Sequence, residues 1–183
     1  MLIRFKALTH VAMAYAVVAY PHLKDESKIQ EFRKKHDPYF QLIKPHITLM
    51  FPFPDVDRKR VEQHISNVAR NFPQFHLKLV GLKKSFDNWL FLLIGEGNDR
   101  IVELHDKLYA GIFRRHLRED IEFIPHVGLG LFEKDEDYQK AEEEAKRLNL
   151  NYECEVKSIH LIHLTDDFSE INWSRRFSLA TIF

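Results

Sequence analysis

The sequence has 183 residues, of which 45% are hydrophobic and 30% charged, so it can bury a core and is too apolar to be disordered. Its 27 Lys and Arg balance 27 Asp and Glu, which excludes a whole-molecule positive field of the kind that holds long nucleic acids. A single cysteine, Cys154, excludes an internal disulfide framework and favours the cytoplasm as the compartment.

The first predicted element is a strand over residues 11–20. Arg4 and Lys6 precede this apolar run, as in a signal peptide, but two tyrosines interrupt it and Pro21 closes it. A buried strand is therefore the better interpretation. No stretch of the chain approaches the roughly 20 apolar residues of a membrane span.

Helices and strands alternate along the rest of the chain. Apolar residues at helical spacing predict helices over 25–37, 61–72, 101–112 and 138–148, the second of them behind an N-cap at Asp57. Alternating or continuous apolar residues predict strands over 44–53, 75–80, 89–94, 123–132, 152–164 and 172–182. The unbroken run 89–94 predicts a strand covered on both faces. No linker divides this pattern, so we expect a single domain over residues 1–183.

One short strand motif occurs twice. Pro45-His46-Ile47-Thr48-Leu49 recurs 80 residues later as Pro125-His126-Val127-Gly128-Leu129. Each copy follows a predicted strand and helix, and each precedes another helix and strand. The repeat suggests two similar α+β halves, at about residues 10–85 and 88–182, with interleaved lobes that each contribute one histidine.

The chemistry of the motif follows from strand alternation. His46 and Thr48 point to one face, whereas Ile47, Leu49 and Phe51 are expected on the other. A hydroxyl can donate to a phosphate oxygen, and an imidazole can carry a proton near neutral pH. Two such histidines across one phosphorus supply the base and the acid of an in-line displacement. With pKa values near 6.5, the pair would offer both forms around neutral pH.

These motifs resemble those of the two-histidine (2H) phosphoesterase superfamily, in the branch of the 2′-5′ RNA ligase-like proteins and cyclic phosphodiesterases. Its signature is two His-x-Thr/Ser-hydrophobic strands, matched here by 45–53 and by 123–129, and the order of elements agrees over about residues 10–182. The resemblance implies an α+β, bilobal, pseudo-two-fold fold with two mainly antiparallel sheets flanked by helices around a central cleft. His46 and His126 would face each other there as catalytic residues, with Thr48 on a non-bridging oxygen.

The resemblance also implies an activity. We expect a hydrolase that acts on 2′,3′-cyclic phosphates or 2′-5′ phosphodiesters of nucleotides or RNA ends, without a metal or any other cofactor. Its partner would be this nucleotide or RNA-end substrate, with no membrane and no obligate protein partner, and the protein would be a cytoplasmic monomer.

The second motif departs from the signature at Gly128, where Thr or Ser is expected. Loss of that donor would cost about 2.7–4 kcal/mol, or roughly 10²–10³ in rate. Gly128, with Gly130 expected on the same face, could let backbone or water approach the phosphate, or make room for a bulkier substrate. Alternatively this half has decayed, leaving a nucleotide- or RNA-binding protein with weak or no catalysis.

Other residues have weaker claims to function. His160 and His163 fall on opposite faces of a strand, which argues against a metal site, and His105 and His116 are expected on a helix surface or rim. The basic cluster 114–118 either compensates a helix end or contacts RNA. One residue each of Lys83/Lys84 and Arg175/Arg176 could reach a phosphate, and the candidates for stacking on a base are Phe51, Phe53, Trp89 and Phe132.

Overall fold

The computed structural model describes residues 14–54, 57–165 and 167–181. The strands in these ranges are β1 (Ala14–Ala19), β2 (Ile47–Pro54), β3 (Phe75–Lys84), β4 (Trp89–Ile94), β5 (His126–Leu131), β6 (Tyr152–Val156), β7 (Ser158–Leu164) and β8 (Ile171–Ser178). The helices are α1 (Ser27–His36), α2 (Arg58–Arg70), α3 (Asn98–Leu108) and α4 (Asp135–Leu148), and a 3₁₀ helix spans Gly111–His116.

The strands form two antiparallel sheets. Sheet A has the order β2-β1-β7-β8, and sheet B has the order β5-β4-β3-β6. Sheet A therefore consists of the first two and the last two strands, and sheet B consists of the four strands between them. The edge strands β2 and β5 contact each other, so the sheets meet where the two histidine motifs lie.

The helices cross between the sheets. α1 connects two strands of sheet A but packs on β5 of sheet B, whereas α3 connects two strands of sheet B but packs on β2 of sheet A. α2 covers β7 and β8, and α4 contacts α1. Each helix buries one apolar stripe, and these stripes join both sheets in one hydrophobic core.

This architecture confirms the predicted fold class. The order β-α-β-α-β occurs twice, in β1–β3 and in β4–β6, with one histidine motif in each copy. Asp57 caps α2, as predicted, by accepting a hydrogen bond from the Lys59 backbone. Residues 11–13 of the predicted first strand and residue 182 of the last lie outside the described residues.

Three predictions of single elements were wrong. The strand expected over 152–164 is two strands in different sheets, because β6 pairs with β3 and β7 pairs with β1. The helix expected to reach Ile112 ends at Leu108, and Ile112 lies exposed in the 3₁₀ helix. β4 is covered on one face only, since Leu90, Leu92 and Ile94 are buried while the intervening residues are half-buried.

Among the described residues, none of the helices has the length and hydrophobicity of a membrane span.

Candidate active site

The first histidine motif begins immediately before β2. Pro45, Ile47 and Leu49 are buried, whereas His46 and Thr48 are half-buried on the opposite face. The Nδ1 of His46 lies 2.9 Å from the carbonyl oxygen of Lys44, to which it donates. This bond places the proton of the neutral imidazole on Nδ1, and Nε2 is therefore the basic nitrogen.

The second motif repeats this arrangement at the start of β5. Pro125, Val127 and Leu129 are buried, and His126 and Gly128 are half-buried. The Nδ1 of His126 donates to the carbonyl oxygen of Ile124 at 2.6 Å. The ring stacks on Phe91 of β4, with centroids 3.5 Å apart and planes 19° apart. Both imidazoles are thus fixed through Nδ1 to the residue two positions earlier, with Nε2 as the basic nitrogen.

Burial lowers the pKa of both histidines to about 4. The cations of Arg33 and of a protonated His126 lower the pKa of His46 further, which shows that the two rings lie within electrostatic reach of each other. The negative charge of the Asp87 carboxylate opposes the effect of burial and raises the pKa of His126. The expectation of pKa values near 6.5 was therefore wrong for the protein alone, in which both imidazoles are neutral at pH 7.

A β-bulge lies at the last residue of each motif. In β2, Thr48 pairs with Val18 and Met50 with Val17, so Leu49 is the extra residue. In β5, Gly128 pairs with Phe91 and Gly130 with Leu90, which makes Leu129 extra. Each bulge reverses the alternation of the residues that follow it.

These bulges correct two predicted orientations. The bulge in β2 puts Met50 on the buried face beside Leu49, so Phe51 lies on the face of Thr48 rather than away from it. The backbone N–H of Phe51 donates to the Tyr109 hydroxyl. Gly130 is on the face opposite to Gly128. A Cβ at Gly130 would lie 2.7 Å from the Cβ of His36, so this glycine allows α1 to pack closely on β5.

Gly128 lies against an aromatic side chain. A Cβ at this position would lie 3.3 Å from Cζ3 and 3.5 Å from Cε3 of Trp89, which is tight contact. Trp89 is half-buried and stacks in parallel on Tyr39, with centroids 6.1 Å apart. The indole therefore borders the space that the hydroxyl of the family motif would need.

Among the stacking candidates, Phe53 and Phe132 are buried in the core. Trp89 is partly accessible on the face of sheet B that carries His126 and Gly128. Tyr39, which the sequence analysis did not single out, is 40% exposed beside it. It lies in a turn seven residues before His46, and no local pattern relates it to β4.

A buried ion pair holds the loop that leads to His46. Arg33 of α1 and Asp37 are both buried, and the guanidinium Nε donates to the Asp37 carboxylate at 2.8 Å. Arg33 also donates to the carbonyl oxygen of Ile43 at 2.8 Å, and Asp37 accepts from the Tyr39 backbone. Sequence reasoning missed this pair, because nothing in the helix pattern shows that an i,i+4 pair is buried.

The structure separates the paired basic residues. Lys84 forms a salt bridge of 2.6 Å with Asp135 of α4, and Arg175 forms one with Glu62 of α2. Lys83 and Arg176 are exposed and have no carboxylate partner among the described residues. These two are consequently the members of each pair that are available to a ligand.

The remaining histidines differ in their surroundings. His160 and His163 lie on opposite faces of β7, as predicted. His105 is buried rather than at a surface, because Phe123 covers its ring at a centroid distance of 3.8 Å. His116 is half-buried against Phe53.

The basic cluster over 114–118 is largely neutralised locally. Arg114 pairs with Glu119 at 2.9 Å, and Arg118 binds Asp120 through two nitrogens. These contacts favour the interpretation that the cluster serves local structure.

Comparison with known proteins identifies the family and agrees with the fold. The family model of the 2′-5′ RNA ligase superfamily matches residues 20–168. A protein of Geobacillus kaustophilus, provisionally named a phosphoesterase, is 26% identical over 161 residues, covering 86% of this chain and 91% of the relative. A protein of Bacillus licheniformis with the same provisional name is 28% identical over 165 residues, covering 86% and 94%.

Two solved structures share the fold. LigT of E. coli in its apo form has a TM-score of 0.51 at 17% identity and covers 92% of this chain and 98% of its own. Usb1 of Kluyveromyces marxianus with uridine monophosphate has a TM-score of 0.50 at 12% identity, with coverage of 92% and 99%.

Proposed function

The chain belongs to the 2′-5′ RNA ligase superfamily, and from this membership and the geometry of its cleft we propose that it is a phosphoesterase of the 2H type. Its substrates would be 2′,3′-cyclic phosphates or 2′-5′ phosphodiesters of nucleotides or RNA ends. The observation that carries the proposal is the matched pair of imidazoles. His46 and His126 occupy equivalent places before equivalent bulges, and each is fixed through Nδ1 with Nε2 as its basic nitrogen.

The electrostatics of the cleft suggest which histidine carries the proton. Arg33 disfavours a positive charge on His46, whereas Asp87 favours one on His126. In the state with one proton shared between them, His46 is therefore the base and His126 the acid. An anionic phosphate between the rings would stabilise this imidazolium.

The reaction then follows in balanced steps. Water attacks phosphorus and gives a proton to Nε2 of His46, the bond from phosphorus to the 2′ or 3′ oxygen breaks, and Nε2 of His126 protonates that oxygen. The products are a phosphomonoester and a hydroxyl group, and proton exchange with solvent restores both imidazoles. Thr48 would donate to a non-bridging oxygen from the same face as His46.

Substitution of each histidine by asparagine tests the proposal. The amide of Asn can replace the Nδ1 donor, so the loops should keep their structure while Nε2 is lost. We expect His46→Asn and His126→Asn each to lower kcat/KM on a nucleoside 2′,3′-cyclic phosphate by about 10²–10⁴-fold, with EDTA without effect. His22→Asn, an exposed position outside the cleft, is the matched control.

The nature of the leaving group distinguishes acid from base. A 4-nitrophenyl phosphodiester needs little protonation of its leaving oxygen, so His126→Asn should cost much less on it, whereas His46→Asn should cost as much as before. A wild-type protein that binds nucleotide but turns over no faster than either variant would instead support the alternative, a nucleotide- or RNA-binding protein without catalysis.

A further inference from the structure

A row of side chains crosses sheet A from the candidate active site to the far edge. Thr48 of β2 pairs with Val18 of β1, Val18 pairs with His160 of β7, and His160 pairs with Arg176 of β8. Directly paired residues of antiparallel strands share one face of a sheet, so all four lie on the face of His46 and Thr48. With strands about 4.8 Å apart, the row places the backbone of Arg176 about 14 Å from that of Thr48.

The two neighbouring arginines of β8 lie on opposite faces and differ in whether a carboxylate pairs with them. Arg175 pairs with Leu161 on the face that α2 covers, where Glu62 forms its salt bridge. Arg176 points to the opposite face and has no carboxylate partner among the described residues. The strand residues of its face in the described part of sheet A include no Asp or Glu. The directly paired ones are Ala14, Ala16, Val18, Thr48, Pro54, Ser158, His160, Ile162, Leu164, Ile171, Ser174, Arg176 and Ser178.

His160 is held next to this cation. Its ring is half-buried and meets the edge of Tyr20 at a centroid distance of 4.8 Å and an angle of 78°. Its Nε2 lies 3.4 Å from the hydroxyl oxygen of Ser158. Burial and the positive charge of Arg176 lower the pKa of His160. The row thus combines an imidazole that can donate a hydrogen bond with a guanidinium that has no counter-ion in the described part of the chain, which suits an anion between them.

The cleft face of sheet B is different. There Gly128 pairs with Phe91, and Trp89 and Leu93 flank it on β4. That face is apolar and aromatic and suits a base. The face of sheet A carries a small apolar cluster of Ala16, Val18, Ile162 and Leu164, and it suits a phosphate on the side where His160 and Arg176 lie. The guanidinium fork matches the geometry of phosphate oxygens.

Resting on the proposed function, we propose that Arg176 and His160 form a second phosphate subsite for a phosphate that is not cleaved. It would take either the internucleotide phosphate of an oligonucleotide or a terminal phosphate of the same substrate. Because the row spans about 14 Å, this phosphate is distinct from the one between His46 and His126.

Three substrates and one pair of neighbouring variants test the subsite. The substrates are a nucleoside 2′,3′-cyclic phosphate, the same compound with a 5′-phosphate, and a dinucleotide ending in a 2′,3′-cyclic phosphate. We expect Arg176→Gln to raise KM roughly five- to tenfold for the two-phosphate substrates and to leave the single-phosphate substrate within about twofold. Arg175→Gln, on the other face of the same strand, should not change the KM of any one substrate relative to the other two.

The pattern of losses identifies the phosphate. If Arg176→Gln raises KM for the dinucleotide alone, the subsite binds an internucleotide phosphate. If it raises KM for the dinucleotide and for the 5′-phosphorylated nucleotide, the subsite also binds a terminal phosphate. The salt dependence of dinucleotide binding should also become shallower by about 0.7 in the slope of log K against log salt. Equal KM changes with all three substrates, or equal effects of Arg175→Gln and Arg176→Gln, would overturn the subsite.

Binding in a protein that does not turn over separates this proposal from the proposed function. Calorimetry with His46→Asn, with and without Arg176→Gln, measures affinity for the three ligands directly. Unchanged affinity for the two-phosphate ligands on adding Arg176→Gln contradicts the subsite, whatever the catalytic result. If the wild type shows no hydrolysis but Arg176 still selects the two-phosphate ligands, the subsite stands and the proposed catalysis fails.

Discussion

For single residues, the position of the proton on each imidazole decides the chemistry of the cleft. Both rings hold their proton on Nδ1 through a backbone carbonyl and present Nε2 as a base. Burial keeps both neutral at pH 7, so the protein alone holds two bases and no acid. The acid must arise when an anionic substrate raises the pKa of one ring.

This arrangement predicts an acid-shifted rate profile. With both pKa values at about 4 in the protein alone, the fraction of molecules with a single proton is largest near that pH and falls about tenfold per unit above it. We therefore expect kcat/KM for a 2′,3′-cyclic phosphate, whose charge is constant, to fall by roughly tenfold per pH unit between pH 5 and 8. The kcat profile should lie at higher pH than the kcat/KM profile, because bound phosphate stabilises the imidazolium. A kcat/KM optimum centred near 6.5 would contradict the effect of burial.

For single elements, the bulges in β2 and β5 show where the sequence stops being informative. Strand alternation correctly predicted that His46 and Thr48 share one face while Ile47 and Leu49 lie on the other, and the same order holds in the second motif up to Leu129. Beyond that point Phe51 and Gly130 turned to the faces opposite to those expected. A bulge depends on the partner strand and on contacts such as the Tyr109 hydroxyl, none of which is local in sequence.

The same limit applies to other elements. Helix periodicity located α1, including the inward Ile29 and Phe32, but it gave no sign that Arg33 is buried and holds the loop before His46. An unbroken apolar run located β4 but did not show that its Trp89 face remains accessible. Burial of a polar residue and exposure of an apolar one are set by the partner element.

Trp89 gives a specific prediction for the second motif. Because a Cβ at residue 128 already meets the indole at 3.3 Å, Gly128→Thr alone should leave kcat/KM unchanged or lower it. In a Trp89→Leu background the threonine has room, and we expect it to raise kcat/KM by about tenfold or more relative to Trp89→Leu alone. The four proteins form a double-mutant cycle, with thermal unfolding as the check on folding. Equal effects of Gly128→Thr in both backgrounds would show that Trp89 does not control this position.

For the whole molecule, the crossing of α1 and α3 makes the two lobes interdependent. Each of these helices connects strands of one sheet while packing on the other, and one core joins both. The candidate site, where β2 contacts β5, therefore lies within one cooperative unit. Charging the histidines in that site should consequently affect the stability of the entire fold.

The sign of this effect follows from proton linkage. In the unfolded chain His46 and His126 bind protons near pH 6.5, whereas in the folded protein they do so only near 4. The stability associated with their neutral forms is fully present above pH 6.5. It is lost as the pH falls through the window from 6.5 to 4, where the unfolded state holds more protons. Each full shift corresponds to at most about 3 kcal/mol, and partial solvent access to the rings reduces this.

Replacing both histidines should therefore protect the fold against acid. We expect His46→Asn/His126→Asn to lose roughly 2–4 kcal/mol less free energy of unfolding than the wild type between pH 7 and 4.5, measured by urea denaturation at each pH. Carboxylates elsewhere also destabilise the fold in acid, but they are common to both proteins and cancel in the difference. His22→Asn, which removes a histidine from an exposed position, should behave as the wild type. Equal losses in the wild type and the double variant would mean that the cleft does not hold its histidines neutral, and the acid-shifted rate profile would fail with it.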